Sequence, residues 1–382
     1  MGMFLELHII QNFAPSNLNR DDTGAPKDAL FGGVRRARVS SQCFKRSVRN
    51  VVKEHGLIDP KHLGVRTKKL KEILLGKLSD KDLDLAGKKI DALIAAAGLK
   101  LKEGDKTEYL LFLGDAEIAA MADMINQRWD ELHVPESSSS GEKKSKKEGK
   151  ASVPPDLAKA VKALLDGGKA VDVALFGRML ADLPAANQDA ACQVAHAIST
   201  HRVDRDFDYF TAVDDKGDED ETGAGMLGQV EFNSATFYRY AALDVKKLFE
   251  NLHKDEALFG AAIEAFVRAF AMAVPSGKQN SFAAQNLPEF IGITLRHAVP
   301  MSLANAFEKP IMAGRDQSLT HKSVKGMAEY ENKLATVYGS GKDQWLYVDL
   351  TEAWPTDKGQ KMSSLVEIAQ AARKLVDSSL GG

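Results

Sequence analysis

The sequence has little cysteine, and none of it in a motif: Cys43 and Cys192 are its only two. Both lie in helical patterns, and they read as buried thiols of a reducing compartment rather than as a disulfide. There is no Cys-x-x-Cys, no His-Glu-x-x-His and no Gly-x-Ser-x-Gly, so the common zinc and nucleophile signatures are missing. The nine histidines are scattered. His196 and His201, five apart, suit neither a helical nor a strand pair of metal ligands. No metal and no cofactor is expected. A long hydrophobic run is also missing. The most apolar helical stretch, near 256–274, carries Glu264 and Arg268 and reads as a core helix, not a membrane span. Residues 3–10 are apolar but interrupted by Glu6 and His8, with no basic segment before them, so no signal peptide and a cytoplasmic location are expected. Finally, an excess of charge of one sign is absent. With 51 Lys and Arg against 53 Asp and Glu the formal net charge is −2. A protein that binds nucleic acid through its whole surface is basic overall, so only a localised basic groove remains open to this chain.

Such a place exists. Between Lys27 and Lys53 stand Lys27, Arg35, Arg36, Arg38, Lys45, Arg46, Arg49 and Lys53, and the only acid is Asp28. The second half of this window reads as a helix, with Ser40 or Ser41 as its cap and Gly56 as its end. Phe44, Val48, Val51 and Val52 recur at helical spacing and face a core, while Gln42, Lys45, Arg49 and Lys53 fall on the opposite side. In front lie Gly32 and Gly33, then alternating Arg36 and Arg38. Glycines allow close backbone approach, and arginines give forked donors that suit phosphate oxygens. Two readings stand side by side: a solvated basic face on an ordinary helix, or a seat for a phosphodiester backbone.

At 382 residues the chain is long enough for a large core and more than one lobe. Residues 3–10 alternate as a strand, with Leu5, Leu7 and Ile9 on one side and Phe4, Glu6 and His8 on the other. His8 is expected to be a hydrogen-bonded neighbour rather than a ligand contact. Residues 57–199 read as mostly helical, with an apolar stripe of Ile118, Met121, Ala122, Ile125 and Trp129. The stretch 137–150 is rich in Ser, Gly and Lys and reads as a disordered loop. Pro154 and Pro155 reopen a helix carrying Leu157, Val161 and Leu164. Residues 172–180, DVALFGRML, read as a helix with a core-facing Phe and Met. From Val203 the pattern alternates, placing Arg205, Phe207 and Tyr209 on one face. An acidic tip and a glycine-rich return follow, so 200–228 reads as a long β-hairpin. Its aromatics either stack on bases or pack on their own domain. Gly223, Gly225 and Gly228 spell GxGxxG, but no strand precedes them and no helix follows, so they read as turn residues. Residues 230–300 give strand, helix, helix, strand, which suggests a split β-α-β sandwich. The segment PSGKQNSF, 275–282, is either a polar turn or a second phosphate contact through Ser276, Lys278, Gln279 and Asn280. A strand over 344–350 and a last helix with Leu365, Ile368 and Leu375 complete the chain.

The runs NLNRDD, KDALFGG and RRARVSSQCFKR, followed by FGRML, FTAVDD, GAGMLG and PSGKQNSF, resemble the type I-E CRISPR Cascade backbone subunit, the CasC family. The likeness spans most of the chain. It implies an α+β fold: an RNA-recognition or ferredoxin-like palm from 1–56 and 230–382, helical fingers over 57–199 and a thumb hairpin over 200–229. It implies a non-catalytic protein that polymerises head to tail along CRISPR RNA and presents the guide for pairing with a target DNA strand, beside other Cascade subunits. The RNA-binding set it implies is Asn19, Arg20, Lys27, Arg35, Arg36, Ser40, Ser41, Gln42, Lys45, Arg46, Arg49, Met179, Ser276, Lys278 and Gln279. Thr200, Phe207, Tyr209 and Leu227 are the implied base contacts of the thumb. The alternative is a metal-dependent RNA endonuclease that processes the guide precursor, using acids within 204–208 or 214–221. No histidine or basic partner recurs around those acids, which disfavours it.

Overall fold

The computed structural model describes residues 2–102, 105–132, 153–212, 226–297, 299–339 and 343–380. Two compact units emerge. The first comprises Met1–His55, Cys192–Lys246 and Gly260–Gly382; the second comprises Gly56–Ala191 and Lys247–Phe259.

The first unit contains strands β1 (Phe4–Ser16), β2 (Asp28–Phe31) and β3 (Val34–Val39), then helix α1 (Ser41–Glu54). After the second unit's main segment come β4 (Cys192–Val194), β5 (Ala197–Ser199), β6 (Asp206–Ala212) and β7 (Met226–Asp244). The part of helix α2 (Glu256–Met272) from Gly260 onward, β8 (Phe290–Arg296), α3 (Leu319–Tyr338), β9 (Gln344–Asp349), β10 (Gln360–Lys361) and α4 (Leu365–Leu380) complete it. Among the described residues these strands make one ten-stranded sheet in the order β10–β9–β8–β1–β7–β5–β3–β2, with β4 and β6 also paired to β7. Among the described residues only β9 and β10 run parallel. The fold is therefore α+β on a mixed sheet.

β1 is a central strand between β7 and β8. All residues from Leu5 to Gln11 are buried, so both faces of the sheet are covered here. Leu5, Leu7 and Ile9 share one side, as their alternation requires. On the other side Glu6 and His8 are buried but bonded. His8 Nδ1 lies 2.9 Å from Tyr238 Oη, and Glu6 accepts from Tyr240 Oη at 2.6 Å and Arg296 Nε at 2.7 Å. His8 is thus the hydrogen-bonded neighbour its sequence position suggested. Above this face α3 contributes Val324 and Met327 to a core with Phe290, Phe307, Trp345 and Trp354. Helix α4 buries Ile368, Ala369, Ala372 and Val376.

The second unit packs helices Leu70–Lys77, Leu83–Ala97, Asp115–Gln127 and Pro155–Leu164 around Leu74, Ile90, Leu93, Leu157 and Val161. Ile118, Met121, Ala122 and Ile125 are buried in the same core, and Trp129 packs against it just beyond its helix. Two small sheets interrupt the helices: Gly64–Thr67 with Leu111–Gly114, and Leu101–Lys102 with Lys106–Thr107.

Three local readings are corrected. Residues 192–199 are strands of the large sheet, not the end of a helical region, so Cys192 sits in a strand, where it is a buried free thiol. Residues 247–259 group with the second unit although they follow the sheet's longest strand. The helix expected over 172–180 is shorter, Val171–Phe176, because Gly177 leaves helical space at φ 72°. The loop 137–150 and the acidic tip of the hairpin lie outside the described residues. Among the described residues no helix is long and apolar enough to cross a membrane.

Candidate nucleic-acid interface

The basic window folds as a hairpin and a capped helix. Gly32 and Gly33 form the two-residue turn between β2 and β3, both at positive φ (60° and 77°), as a twisted hairpin demands. A Cβ on Gly32 would lie 1.7 Å from the Glu308 carbonyl oxygen. Ser40 caps α1, its side chain accepting from Cys43 N at 3.3 Å, and Gly56 takes φ 58° just past the end. No acid stands in the first turn, so the positive end of the helix dipole is left for an external anion. Phe44, Ser47, Val48 and Val52 are buried, and Val51 is half-buried. Beneath them the Arg239 guanidinium lies 4.1 Å from the Phe44 ring centre and 4.7 Å from that of Phe270. Burial pushes Arg239 down to about 9.

The outer face of α1 opens onto a groove of about 550 Å³. Asn19, Arg20, Ser40, Gln42, Arg46 and Ser276 all line it, so three distant chain segments meet there. Asn19 also builds the site: its Oδ1 accepts from Ser40 N at 2.9 Å, fixing the helix start. A second groove of about 400 Å³ adjoins through Arg20 and adds Lys278 and the hairpin residues Gln229 and Glu231. Arg20, Gln42, Arg46, Ser276 and Lys278 are exposed; Lys27, Ser41, Lys45 and Arg49 are half-buried. Gln279 turns inward, donating from Nε2 to the Pro275 and Ala284 carbonyls at 2.9 and 3.3 Å.

Three arginines of the window, Arg36, Arg35 and Arg38, have partners within the protein. Arg36 is fully buried and donates to the carbonyls of Phe31, Ser199, Phe307 and Glu308 at 2.7–3.2 Å. The expectation of a phosphate-facing Arg36 is therefore corrected: its forked donors tie together main-chain oxygens. Burial also lowers its pKa. Arg35 pairs with Asp28 at 2.5 Å, and Asp28 takes a second partner, Arg205, at 2.7 Å. Arg38 donates to His196 Nδ1 at 2.9 Å. Burial, then the charges of Arg38 and Lys27, lower the His196 pKa.

The hairpin is seen where it is described. β6 pairs with β7 from Asp206 opposite Phe232 to Ala212 opposite Met226. The strand begins at Asp206 rather than at Val203, which is buried. Phe207 and Tyr209 share one face and are 52% and 72% exposed, so neither ring is buried against its own unit. Gly228 is explained by proximity: a Cβ there would lie 2.1 Å from Phe210 Cζ. The side chain of Leu227 lies outside the described residues. Thr200 is fully buried, where its hydroxyl donates to the Thr236 carbonyl and accepts from Ser323 Oγ at 2.8 Å. It fastens the hairpin base instead of facing outward. Beside it His201 Nε2 accepts from Thr236 N at 3.1 Å and Nδ1 donates to the Arg202 carbonyl.

Met179 belongs to the second unit and is 78% exposed, contrary to the core position that its apolar neighbours suggested. The buried neighbour is Arg178. It meets both oxygens of Glu117 at 2.8 Å and donates to the Leu165 and Ala186 carbonyls. Sequence reasoning missed Asp21 and Asn50, which also line the larger groove. Asn50 was readable, since Gln42, Arg46 and Asn50 form a second polar row at helical spacing. Asp21 had no such signal. Among the described residues no group of three or more His, Cys, Asp or Glu is placed to hold a metal ion.

Comparison with known proteins places this geometry. A chain of a solved structure titled "CRISPR RNA-guided surveillance complex, pre-nicking" is 31% identical, with 99% of each chain covered and a TM-score of 0.82. A chain of a second, titled "CRISPR RNA-guided surveillance complex", is 26% identical over 97% of this chain and 99% of that one, with a TM-score of 0.74. No protein among those with curated functions matches the sequence. The family described as CT1975-like protein matches residues 5–372, leaving out only the two ends. The chain belongs to the CT1975-like protein family.

Proposed function

We propose that this chain is a non-catalytic, RNA-binding backbone subunit of a type I-E surveillance complex. It polymerises head to tail along CRISPR RNA in the cytoplasm, beside other Cascade subunits, and presents the guide to a target DNA strand. The observation that carries the reading is the groove along α1. It gathers Asn19, Arg20, Ser40, Gln42, Arg46 and Ser276 from segments far apart in sequence. Cations and helix-start donors hold a phosphodiester backbone without reading its bases, so one protein serves any guide. Sequence recognition is left to base pairing.

The topology supports a ferredoxin-like palm. Within the sheet, β8, β1, β7 and β4 lie in the order fourth, first, third, second of a βαββαβ unit, with α1 after the first strand and α2 after the third. The second unit then supplies the fingers, with Met179 set to pack against guide bases. The β6–β7 hairpin is the thumb, its exposed Phe207 and Tyr209 offering π-faces to bases. Copies related head to tail make an open filament, not a closed ring.

The test is to purify the chain from cells with and without a CRISPR RNA, together with the partner subunits, and to measure mass and the 260/280 absorbance ratio. The expected result is an RNA-dependent rise in mass with RNA protected along its length. A monomer free of RNA in the presence of all partners ends the reading.

A further inference from the structure

Asp21 is out of place in a groove that holds phosphates. It lines the same 550 Å³ cleft as Arg20, Arg46 and Asn50, and a carboxylate there repels a phosphodiester. Its Oδ1 is committed to the turn that follows, accepting from Thr23 N at 2.9 Å, Thr23 Oγ1 at 2.7 Å and Ala25 N at 3.1 Å. The Thr23 hydroxyl foremost, with these amides, holds the carboxyl below its ordinary pKa, so it is ionised at neutral pH. Among the described residues Oδ2 has no hydrogen bond or ion pair. The α1 residues that line the groove are not a pure phosphate track either. Gln42 and Asn50 flank Arg46 along α1, and their amides both donate and accept.

A ribose 2′-hydroxyl is both donor and acceptor, and it is the group by which a protein tells an RNA backbone from DNA. We infer that Asp21 Oδ2 accepts a hydrogen bond from a ribose 2′-hydroxyl, and that the groove selects RNA over DNA through this contact. With RNA, a charge-assisted bond offsets the repulsion between carboxylate and phosphate. DNA meets the repulsion alone. The inference rests on the RNA-binding reading above and adds the residue that sets its backbone specificity.

The test uses the full-length chain, wild type and Asp21→Asn, with one sequence made as RNA, as DNA and as 2′-fluoro RNA. The fluoro sugar keeps the RNA pucker but has no proton to give. Asparagine retains Oδ1, so the turn keeps its acceptor, and the melting temperature serves as a control. By anisotropy the wild type is expected to favour RNA over both other probes. Asp21→Asn is expected to lower the RNA:DNA and RNA:2′-fluoro ratios about tenfold, the size of one charge-assisted hydrogen bond. An equal change on all three probes, or a wild type that treats RNA and 2′-fluoro RNA alike, overturns the inference and leaves the RNA-binding reading standing. A wild type that binds none of the three even with the partner subunits added sinks both.

Discussion

Arg36 and Arg46 belong to the same basic stretch and meet opposite fates. Arg36 lies on β3, under the turn at Phe307 and Glu308, and spends its donors on four main-chain carbonyls. Buried carbonyls need partners, and a guanidinium can satisfy several at once. Arg46 lies on the outer flank of α1, is exposed, and makes no hydrogen bond or ion pair among the described residues. The first holds the sheet to its covering loop; the second faces a groove. Charge in a sequence window therefore does not identify a binding residue. What separates the two is the element that carries them. A helix that buries one stripe must expose the other, whereas a sheet strand exposes only what no other segment covers.

The strongest way to break this contrast is Arg36→Ala. It leaves several buried carbonyls without donors and should cost about 3–5 kcal/mol of stability, measured by chemical denaturation. Unchanged stability with weakened RNA binding would return Arg36 to the interface. Next, Lys45→Ala, Arg46→Ala and Arg49→Ala together should weaken RNA binding by about 10- to 1,000-fold at low salt, similarly for all sequences. The slope of log K against log salt should become shallower by roughly one for each phosphate that is no longer neutralised. Sequence-selective weakening contradicts backbone recognition. A smaller effect is expected from Phe207→Ala with Tyr209→Ala, about 1–3 kcal/mol of affinity for each base that stacks. Stability should be nearly unaffected, because both rings are exposed. A large drop in melting temperature would mean that the rings pack on the protein after all.

The smallest effect concerns pH. Burial lowers the pKa of His8 and of His201 from the ordinary 6.5. Both are then neutral in the folded protein, as the acceptor role of His201 Nε2 toward Thr236 N requires. Below pH 6.5 the unfolded chain binds protons that the folded chain resists, so stability is full above 6.5 and falls as pH drops toward the folded pKa values. Melting temperatures at about pH 7.5 and about pH 5.5, on either side of that value, check this; equal values refute it.

Much of the site could be read before the fold. A serine cap at residue 40 or 41, the stop at Gly56 and the inward Phe44 and Val48 follow from residue type and spacing within α1, and the structure selects Ser40. The hairpin was legible from alternation and its glycine-rich return, and the helices that follow it from their apolar periodicity. The short strands at 192–199 were not, because each pairs for only two or three residues and owes its form to β7 and β3. Met179 was misjudged for a related reason. Its apolar neighbours suggested a continuing helix, but Gly177 ends that helix, and the buried Arg178–Glu117 pair fixes the chain so that residue 179 projects outward.

The sequence by itself determined what depends on neighbours a few residues away: the capped basic helix, its two-sided character, the two-glycine turn and the hairpin strands. Those features arise from backbone preferences and from side chains one helical turn or one strand partner apart. Only the tertiary structure decided which cations face a groove and which are consumed within the fold. Arg36 is taken up by carbonyls from other segments, and Arg35 and Arg205 share Asp28. Asn19, Arg46 and Ser276 come to line one cleft because the sheet and α1 bring distant segments together. Burial and proximity across long sequence separations are set by packing of the whole unit, and no local pattern encodes them.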